Sequence, residues 1–309
     1  MNRGYVYLTI AFFFYGSLYV ANKYALDFLP PFTLMFLRQT IALPLLYFVA
    51  KRAGMKPIRK EHWKYFLSFG FLSYFLSFGL QTVATSLMNA SVAALVNSIN
   101  PIFISFFAVL ILKETMTKRK IFGIACSLLG VALVLGINGE GVSVLGVVIS
   151  LISVIIWSIN AVYTRKIAPY YPSQQMTFYC IGLSVPFFGL TALVEVQFRT
   201  LTFTPMVWLV ILYLAFFCTA LAYLLWNRCL VLLDASVCSL FYPLQPMFAS
   251  VLGVLLLHEA IHANFVAGTL LITIGVLIGL MGSKKTAPPQ GKTAFEQIDP
   301  TNNRKESST

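Results

Sequence analysis

Two apolar runs of this sequence begin with an amide side chain followed by a proline. The run NPIFISFFAVLIL begins with Asn100 and Pro101, and the run QPMFASVLGVLLL begins with Gln245 and Pro246. Proline lacks a backbone N–H and clashes with the preceding helical turn, so it frees a carbonyl and bends a helix. Backbone groups freed in a membrane are tolerated where protein buries them or where they line a cavity. The two prolines are therefore predicted to be hinges beside a polar cavity.

Further polar side chains lie on the same helical faces as these prolines. Asn97 precedes Asn100 by three residues and Tyr242 precedes Gln245 by the same spacing, so each pair shares one face of a helix. Polar side chains inside a bilayer usually face the interior of a helix bundle or a watery cavity. We predict that these four side chains bind a substrate. The alternative is that the amides only join neighbouring helices.

Aromatic rings in the middle of other apolar segments form a second group of candidates. Tyrosine and tryptophan combine an apolar face with a polar group, which suits an amphipathic solute. For any single ring, the alternative is packing between helices or an aromatic belt at the membrane surface. The predicted substrate-binding residues of this group, with one neighbouring amide, are Tyr15, Tyr74, Phe78, Trp157, Asn160, Tyr223 and Trp226.

Arg38 is a candidate for binding an anionic group. It lies about two turns inside the second apolar segment, roughly 9 Å from its start at 1.5 Å per residue. Its guanidinium could bind a substrate carboxylate through two parallel hydrogen bonds. A structural pairing, or a side chain that extends to the membrane surface, is equally compatible with the sequence. Because no Asp or Glu lies in the middle of an apolar segment, no proton carrier is evident, and we expect a facilitator or exchanger driven by the solute gradient.

The composition indicates that these residues lie in a membrane. Of the 309 residues, 59% are hydrophobic and 10% are charged, and the mean hydropathy is +0.82. A soluble domain usually has about 25% charged residues. The apolar runs are long and continuous rather than alternating, which excludes a β-barrel and predicts an all-α polytopic membrane protein. The ten predicted transmembrane helices cover approximately 4–26, 32–50, 63–85, 90–112, 118–137, 142–164, 174–195, 205–227, 235–257 and 263–282.

Basic residues are concentrated in alternate connections between these helices. Clusters follow the second, fourth, sixth and tenth helices, whereas the connection at 138–141 contains no Lys or Arg. Cytoplasmic connections carry an excess of Lys and Arg, so a multi-pass protein of the cell membrane with both termini in the cytoplasm is predicted. The net charge of +12 then reflects orientation in the membrane and not a nucleic-acid partner, which would need one basic face. Residues 283–309 are polar and aperiodic, and they are predicted to be a disordered cytoplasmic tail.

The chain contains one five-helix unit twice. Because five is an odd number, the second unit must be inverted relative to the first, as is common in secondary transporters, whose substrate site lies near the midplane between the repeats. The sequence predicts a first repeat at 4–137 (helices one to five) and a second at 142–282 (helices six to ten). A shift of 145 residues matches Ala90-Ser91-Val92 with Ala235-Ser236-Val237, Pro101 with Pro246, Glu114 with Glu259, and Gly123 and Gly130 with Gly268 and Gly275. A shift of 142 residues matches Tyr15-Gly16 with Trp157-Ser158 and Pro30 with Pro172.

These features together resemble the drug/metabolite transporter superfamily, in its ten-helix branch with paired EamA domains. The resemblance covers nearly all of residues 4–282. Its most specific parts are the two segments from Pro101 to Glu114 and from Pro246 to Glu259, each followed by the pattern G-x6-G-V. The family pattern of an aromatic, a small residue and an Asn in the first helix of each repeat is present at 157–160, but the first repeat has Tyr-Gly-Ser-Leu at 15–18. Arg38 matches the arginine that the family tends to carry in its second helix.

The resemblance implies export or uptake of small metabolites by alternating access, without an ATPase subunit. Helices one, three, four, six, eight and nine would surround the cavity, and helices five and ten would pack closely, with each other or with a second copy. The expected substrates are amino acids or related amphipathic solutes, with efflux as the expected direction, and a multidrug exporter of the same fold is the alternative. The partners are then a small-molecule substrate and the lipid bilayer, and the protein is a monomer or a homodimer.

One short motif favours a different class of protein. The segment HEAIH at 258–262 has the H-E-x-x-H pattern of zinc proteases. Glu259, however, is the repeat partner of Glu114, and the third histidine, His62, is predicted on the other side of the membrane. We therefore expect no bound metal, no cofactor and no enzymatic activity. A receptor or scaffold without solute flux is the remaining alternative.

Overall fold

The computed structural model describes residues 3–112, 117–135, 142–232 and 241–281. Every regular element in these ranges is helical, as predicted. The predicted tail at 283–309 and Glu114 lie outside the described residues.

The described helices agree closely with the predicted apolar segments. Seven helical stretches are long and apolar enough to cross a membrane, and three shorter apolar helices accompany them. An all-α polytopic membrane protein is therefore confirmed, while ten spans and an inverted repeat remain predictions. The helices are α1 (Arg3–Leu26), α2 (Pro31–Arg52), α3 (Trp63–Ser68, Phe69–Ser77 and Phe78–Leu87), α4 (Ala90–Asn97), α5 (Asn100–Leu112), α6 (Lys118–Leu135), α7 (Val144–Ile167), α8 (Ser173–Glu195), α9 (Pro205–Tyr213, Leu214–Leu221 and Ala222–Leu232), α10 (Leu244–Leu257) and α11 (Ala263–Met281).

The outward faces of these helices are apolar. Leu110, Leu129 and Leu255 are at least 60% exposed, and many other large apolar side chains share their faces. Such a surface is unfavourable in water and favourable against acyl chains, because soluble monomers rarely expose large contiguous apolar patches. The exposed surface is consistent with the membrane location that the hydropathy predicts.

Two helices contain π-helical stretches that the sequence did not predict. They are Phe69–Ser77 in α3 and Leu214–Leu221 in α9, and the 145-residue shift places the first residue of one on the first residue of the other. π-helix is rare and often lies at functional sites. Both stretches contribute residues to the cavity described below.

Helices α6 and α11 pack closely against each other through glycines. A Cβ atom on Gly130 would lie 2.9 Å from the carbonyl oxygen of Gly268, and one on Gly275 would lie 2.8 Å from that of Gly123. The two helices therefore run antiparallel, and the two contacts exchange when the sequence is shifted by 145 residues. Small residues permit this approach between helices in a membrane. The observed pairing is one of the two arrangements that the sequence predicted for these helices.

Helices α2 and α8 are also antiparallel and are joined at both ends. At one end, Glu195 accepts hydrogen bonds from the amides of Phe32 and Thr33 at 3.1 and 2.7 Å, which satisfies free N–H groups of the first turn of α2. At the other end, Gln175 accepts from the amide of Lys56 at 2.9 Å and donates to its carbonyl at 2.6 Å. The 142-residue shift places Thr33 on Gln175.

Candidate substrate-binding cavity

A cavity of about 140 Å³ lies between α1, α2, α3, α4, α5, α7, α9 and the beginning of α10. It is lined by side chains from both predicted repeats. Helix α2 contributes to the wall in addition to the helices predicted from the sequence. The predicted binding residues that line the cavity are Tyr15, Arg38, Phe78, Asn97, Asn100, Trp157, Tyr223, Trp226, Tyr242 and Gln245.

The other two predicted binding residues lie beside the cavity and not on its wall. The ring of Tyr74 packs at 5.2 Å from Phe78 and 5.8 Å from Trp157, behind two rings that do line it. Asn160 is 4% exposed, and its amide donates to the carbonyl of Ile156 at 2.9 Å. Tyr74 lies four residues from Phe78 and Asn160 lies three residues from Trp157, yet neither side chain lines the cavity.

The helix is interrupted at the first proline motif, and a side chain donates a hydrogen bond to the backbone carbonyl that the proline leaves without a donor. Helix α4 ends at Asn97 and α5 begins at Asn100, so Pro101 is the second residue of a new helix. Because Pro101 has no N–H, the carbonyl of Asn97 lacks its usual donor four residues later. The Asn100 amide donates to that carbonyl at 2.9 Å and to the Asn97 side chain at 2.8 Å. Ser158 of α7 donates to the Asn100 oxygen at 3.4 Å.

The motif of the second repeat lies against α1. The amide N–H of Gln245 donates to the carbonyl of Tyr242 at 3.1 Å, and Pro246 follows in the first turn of α10. A Cβ atom on Gly16 would lie 2.8 Å from the carbonyl oxygen of Gln245. The 142-residue shift places Gly16 on Ser158. Gly16 therefore makes a close backbone contact with Gln245 where Ser158 makes a hydrogen bond with Asn100.

Two aromatic groups form parts of the cavity wall. Phe78 and Trp157 stack at 5.1 Å with an interplanar angle of 21°. Phe12 contacts the edge of Trp226 at 5.8 Å and of Tyr242 at 5.2 Å. Edge-to-face pairs of this kind are favourable and hold rings in fixed orientations. The aromatic walls are therefore ordered before any solute enters.

Arg38 is held at the cavity by the π-helical part of α9. Its Nε donates to the hydroxyl oxygen of Thr219 at 2.7 Å, and its Nη1 contacts the sulfur of Met35 at 3.8 Å. The Thr219 hydroxyl donates in turn to the carbonyl of Leu214 at 2.9 Å. Arg38 is 4% exposed, which rules out a side chain extended to the membrane surface.

Two amides on the wall have polar atoms without a partner. The oxygen of Asn22 and the nitrogen of Gln81 are buried and make no hydrogen bond, although both residues line the cavity. Buried polar groups are usually paired, so an unpaired acceptor and an unpaired donor beside the cavity are unusual. Neither amide was predicted from the sequence as a cavity residue, and nor was Tyr19. Their positions within apolar segments are the signal that could have found them.

The sequence profile of the EamA-like transporter family matches residues 2–136 and 144–281. The chain belongs to this family. The match spans both predicted repeats, and the family is a branch of the drug/metabolite transporter superfamily that the sequence resembles. The chain is accordingly a polytopic membrane protein of a transporter family.

Relatives of this EamA-like chain are named as transporters. An uncharacterized transporter of Clostridium kluyveri is 28% identical over 307 residues, covering 92% of this chain and 95% of the relative. A probable amino-acid metabolite efflux pump of Salmonella typhimurium is 24% identical over 280 residues, covering 87% and 91%. A solved crystal structure with a TM-score of 0.65 and 20% identity covers 91% of this chain and 97% of its own, which shows a shared fold.

The protease-like motif has a structural role in this EamA-like protein. Helix α10 ends at Leu257, and His258 adopts a left-handed conformation with φ of 54°, so the segment 258–262 is not helical and its histidines do not share a helical face. Glu259 accepts hydrogen bonds from the amide of Ala90 and from Ser91. Within the described ranges, no group of three or more His, Cys, Asp or Glu side chains is arranged to hold a metal ion.

Proposed function

We propose that this chain is a secondary transporter that moves small amphipathic metabolites through the cavity by alternating access. The observation that most strongly supports transport is that matched positions of the two predicted repeats line one cavity: Asn97 with Tyr242, and Asn100 with Gln245. A site formed by both halves can be opened from either side by tilting one half against the other. A receptor or scaffold has no general need for this arrangement.

An inverted repeat is supported by pairs of contacts that exchange under the repeat shift. The glycine contacts between α6 and α11 are such a pair, and the antiparallel helices α2 and α8 are joined near both ends, with Thr33 in one junction and Gln175, on which the 142-residue shift places Thr33, in the other. Each pair relates two antiparallel helices, one from each half. This is the relation expected when a five-helix unit is inserted twice in opposite orientations, with bounds near 4–137 and 142–282.

The prolines are well placed to act as hinges. Pro101 follows the interruption between α4 and α5, and Pro246 lies in the first turn of α10, so both stand where side chains line the cavity. Short helical segments on either side of a break can tilt without loss of internal hydrogen bonds. We propose that these breaks allow one end of the cavity to open while the other stays closed.

One end of the cavity is closed by a contact within the first half and by contacts between the halves. Lys23 donates to the carbonyl of Ser86 at 3.1 Å, and Glu259 binds the first turn of α4 through Ala90 and Ser91. The predicted orientation, with both termini cytoplasmic, places this end outside. Opening to the outside would then require the Glu259 contacts to break.

Small metabolites fit the cavity better than bulky drugs do. A volume of about 140 Å³ is below the roughly 300–1,000 Å³ typical of sites for drug-sized ligands. The relative named as an amino-acid metabolite efflux pump supports efflux of small amphipathic solutes by this chain as well. A multidrug exporter is the second candidate, and a wider cavity in another conformation would favour it.

The direct test is solute counterflow with purified protein in liposomes. Vesicles loaded with an unlabelled solute from a panel of amino acids, organic acids and amines are diluted into the same labelled solute, without ATP. Transient accumulation above that of protein-free liposomes, for at least one solute, is expected. Accumulation for no solute in the panel would favour a receptor or scaffold.

A further inference from the structure

The cavity carries an uncompensated positive charge. Among the described lining residues, Arg38 is the only Asp, Glu, Lys or Arg side chain. A guanidinium stays protonated in proteins, and a buried charge without a partner is strongly unfavourable. Inside a bilayer such residues usually mark the path of a substrate or ion. A solute that brings one negative charge would neutralise the cavity.

The known contacts of Arg38 position its guanidinium but do not neutralise it. Thr219 and Met35 are uncharged, and they occupy Nε and one donor of Nη1. The hydroxyl of Thr219 is itself fixed on the carbonyl of Leu214 in the π-helical stretch. A guanidinium has five donors in a planar fork, and a carboxylate can accept two of them in parallel. The geometry thus presents a pre-oriented anion-binding group.

The rest of the wall suits an apolar body, and its described residues include no carboxylate to pair with an ammonium group. Phe12, Trp226 and Tyr242 form a fixed aromatic surface. A zwitterion would leave the net charge of the cavity at one positive unit, and its ammonium would find aromatic faces and amides, which contribute about 0.5–2 kcal/mol as cation–π contacts. A monocarboxylate without an amine leaves the net charge at zero.

We infer that the solute of this cavity is an organic monocarboxylate with an apolar or aromatic body, and that Arg38 binds its carboxylate. The inference rests on the proposed transport function and narrows its substrate class from amphipathic metabolites to anions. Asn22 and Gln81, whose amides have an acceptor and a donor unpaired, would then contact polar atoms of the solute beside the carboxylate.

The test compares three probes that share one skeleton. They are 3-phenylpropionate, L-phenylalanine and 2-phenylethylamine, and binding to the full chain in nanodiscs is followed by intrinsic fluorescence, because Trp157 and Trp226 line the cavity. We expect 3-phenylpropionate to bind at least ~10-fold more tightly than L-phenylalanine, and 2-phenylethylamine not to bind. Equal binding of either amine-containing probe, or binding of none of the three, would overturn the inference.

Substitutions on one helix separate the anion site from non-specific effects. Arg38→Gln is expected to weaken 3-phenylpropionate binding by at least ~10-fold, and Arg38→Lys to weaken it less, since the charge remains but the fork is lost. Arg52→Gln, also on α2 but exposed, is the matched control and should bind as the wild type does. Undiminished binding by both Arg38 variants would overturn the assignment.

Counterflow of L-phenylalanine but not of 3-phenylpropionate would overturn the inferred substrate class and leave the transport proposal standing. Binding of 3-phenylpropionate without flux of any solute would refute the transport proposal alone.

Discussion

The side chain of Glu259 accepts two hydrogen bonds from Ser91, one from its backbone amide at 3.2 Å and one from its hydroxyl at 2.5 Å. A third comes from the amide of Ala90 at 2.6 Å. These groups are the free donors of the first turn of α4, and a carboxylate at a helix N-terminus is favourable. The contact joins the connection between α10 and α11 to the helix that carries Asn97. Glu259 is therefore a structural link between the two halves at one end of the cavity.

Removing this carboxylate should loosen that end. We expect Glu259→Ala to lower the free energy of unfolding by about 1–3 kcal/mol, because three donors lose their acceptor. Thermal unfolding in detergent measures the change. Glu61→Ala, at an exposed carboxylate, is the control and should leave stability unchanged. Equal stability of both variants would contradict the structural role of Glu259.

The space around two glycines predicts opposite effects of alanine on stability, since Gly275 lies in the close packing between α6 and α11 whereas Gly182 on α8 has more room. Gly275→Ala places a Cβ atom 2.8 Å from the carbonyl oxygen of Gly123, a backbone atom that cannot move alone, so stability should fall by about 1–3 kcal/mol. Gly182→Ala meets only a side-chain atom of Leu43 at 3.7 Å and should stabilise α8 slightly, because alanine is the better helix former. Thermal unfolding of both variants checks the prediction. Destabilisation by Gly182→Ala alone would contradict the packing described.

The helix break at Pro101 predicts a variant that folds well but transports poorly. Pro101→Ala restores a backbone N–H that can donate to the carbonyl of Asn97, so α4 and α5 can join into one straight helix. We expect unchanged or higher thermal stability with a several-fold lower rate of counterflow. Pro205→Ala, at the first position of α9 where a missing N–H has no cost, is the control. Wild-type flux in Pro101→Ala would remove the proposed hinge.

Inverted repeats require that two particular turns face opposite sides of the membrane. We expect an impermeant maleimide to label Leu87→Cys in intact cells, and to label Ala168→Cys only after permeabilisation. Both positions are exposed at helix ends, and the native thiols of Cys126, Cys180, Cys218 and Cys229 are buried. Labelling of both introduced cysteines from the same side would contradict the inverted arrangement.

The sequence predicted those features that depend on local composition. Long apolar runs gave most helix bounds within a few residues, although α10 begins at Leu244 and not near residue 235, and proline after an amide gave the break at Asn100. The π-helical stretches escaped prediction, because they depend on contacts between helices; Thr219, for example, bonds both Arg38 and the carbonyl of Leu214.

Positions on the cavity wall were predicted less completely. Asn22 and Gln81 were missed because the amides considered were those near the two prolines and Asn160 beside Trp157. Tyr74 was predicted on the wall but packs behind Phe78, since residues four apart on one helix can differ in depth once the neighbouring helix is in place.

Passage of solute through the cavity is tested most directly by comparing substitutions of two tryptophans, one on the cavity wall and one on the outer surface. Trp157 lines the cavity, whereas Trp208 on α9 is 42% exposed and stacks on Phe203 at its outer surface. Counterflow in liposomes is measured for Trp157→Ala and Trp208→Ala at equal amounts of folded protein. We predict at least ~10-fold slower flux in Trp157→Ala, since a truncated aromatic anchor in a buried site typically costs over 1 kcal/mol, and wild-type flux in Trp208→Ala. Equal flux in the two variants would contradict transport through this cavity.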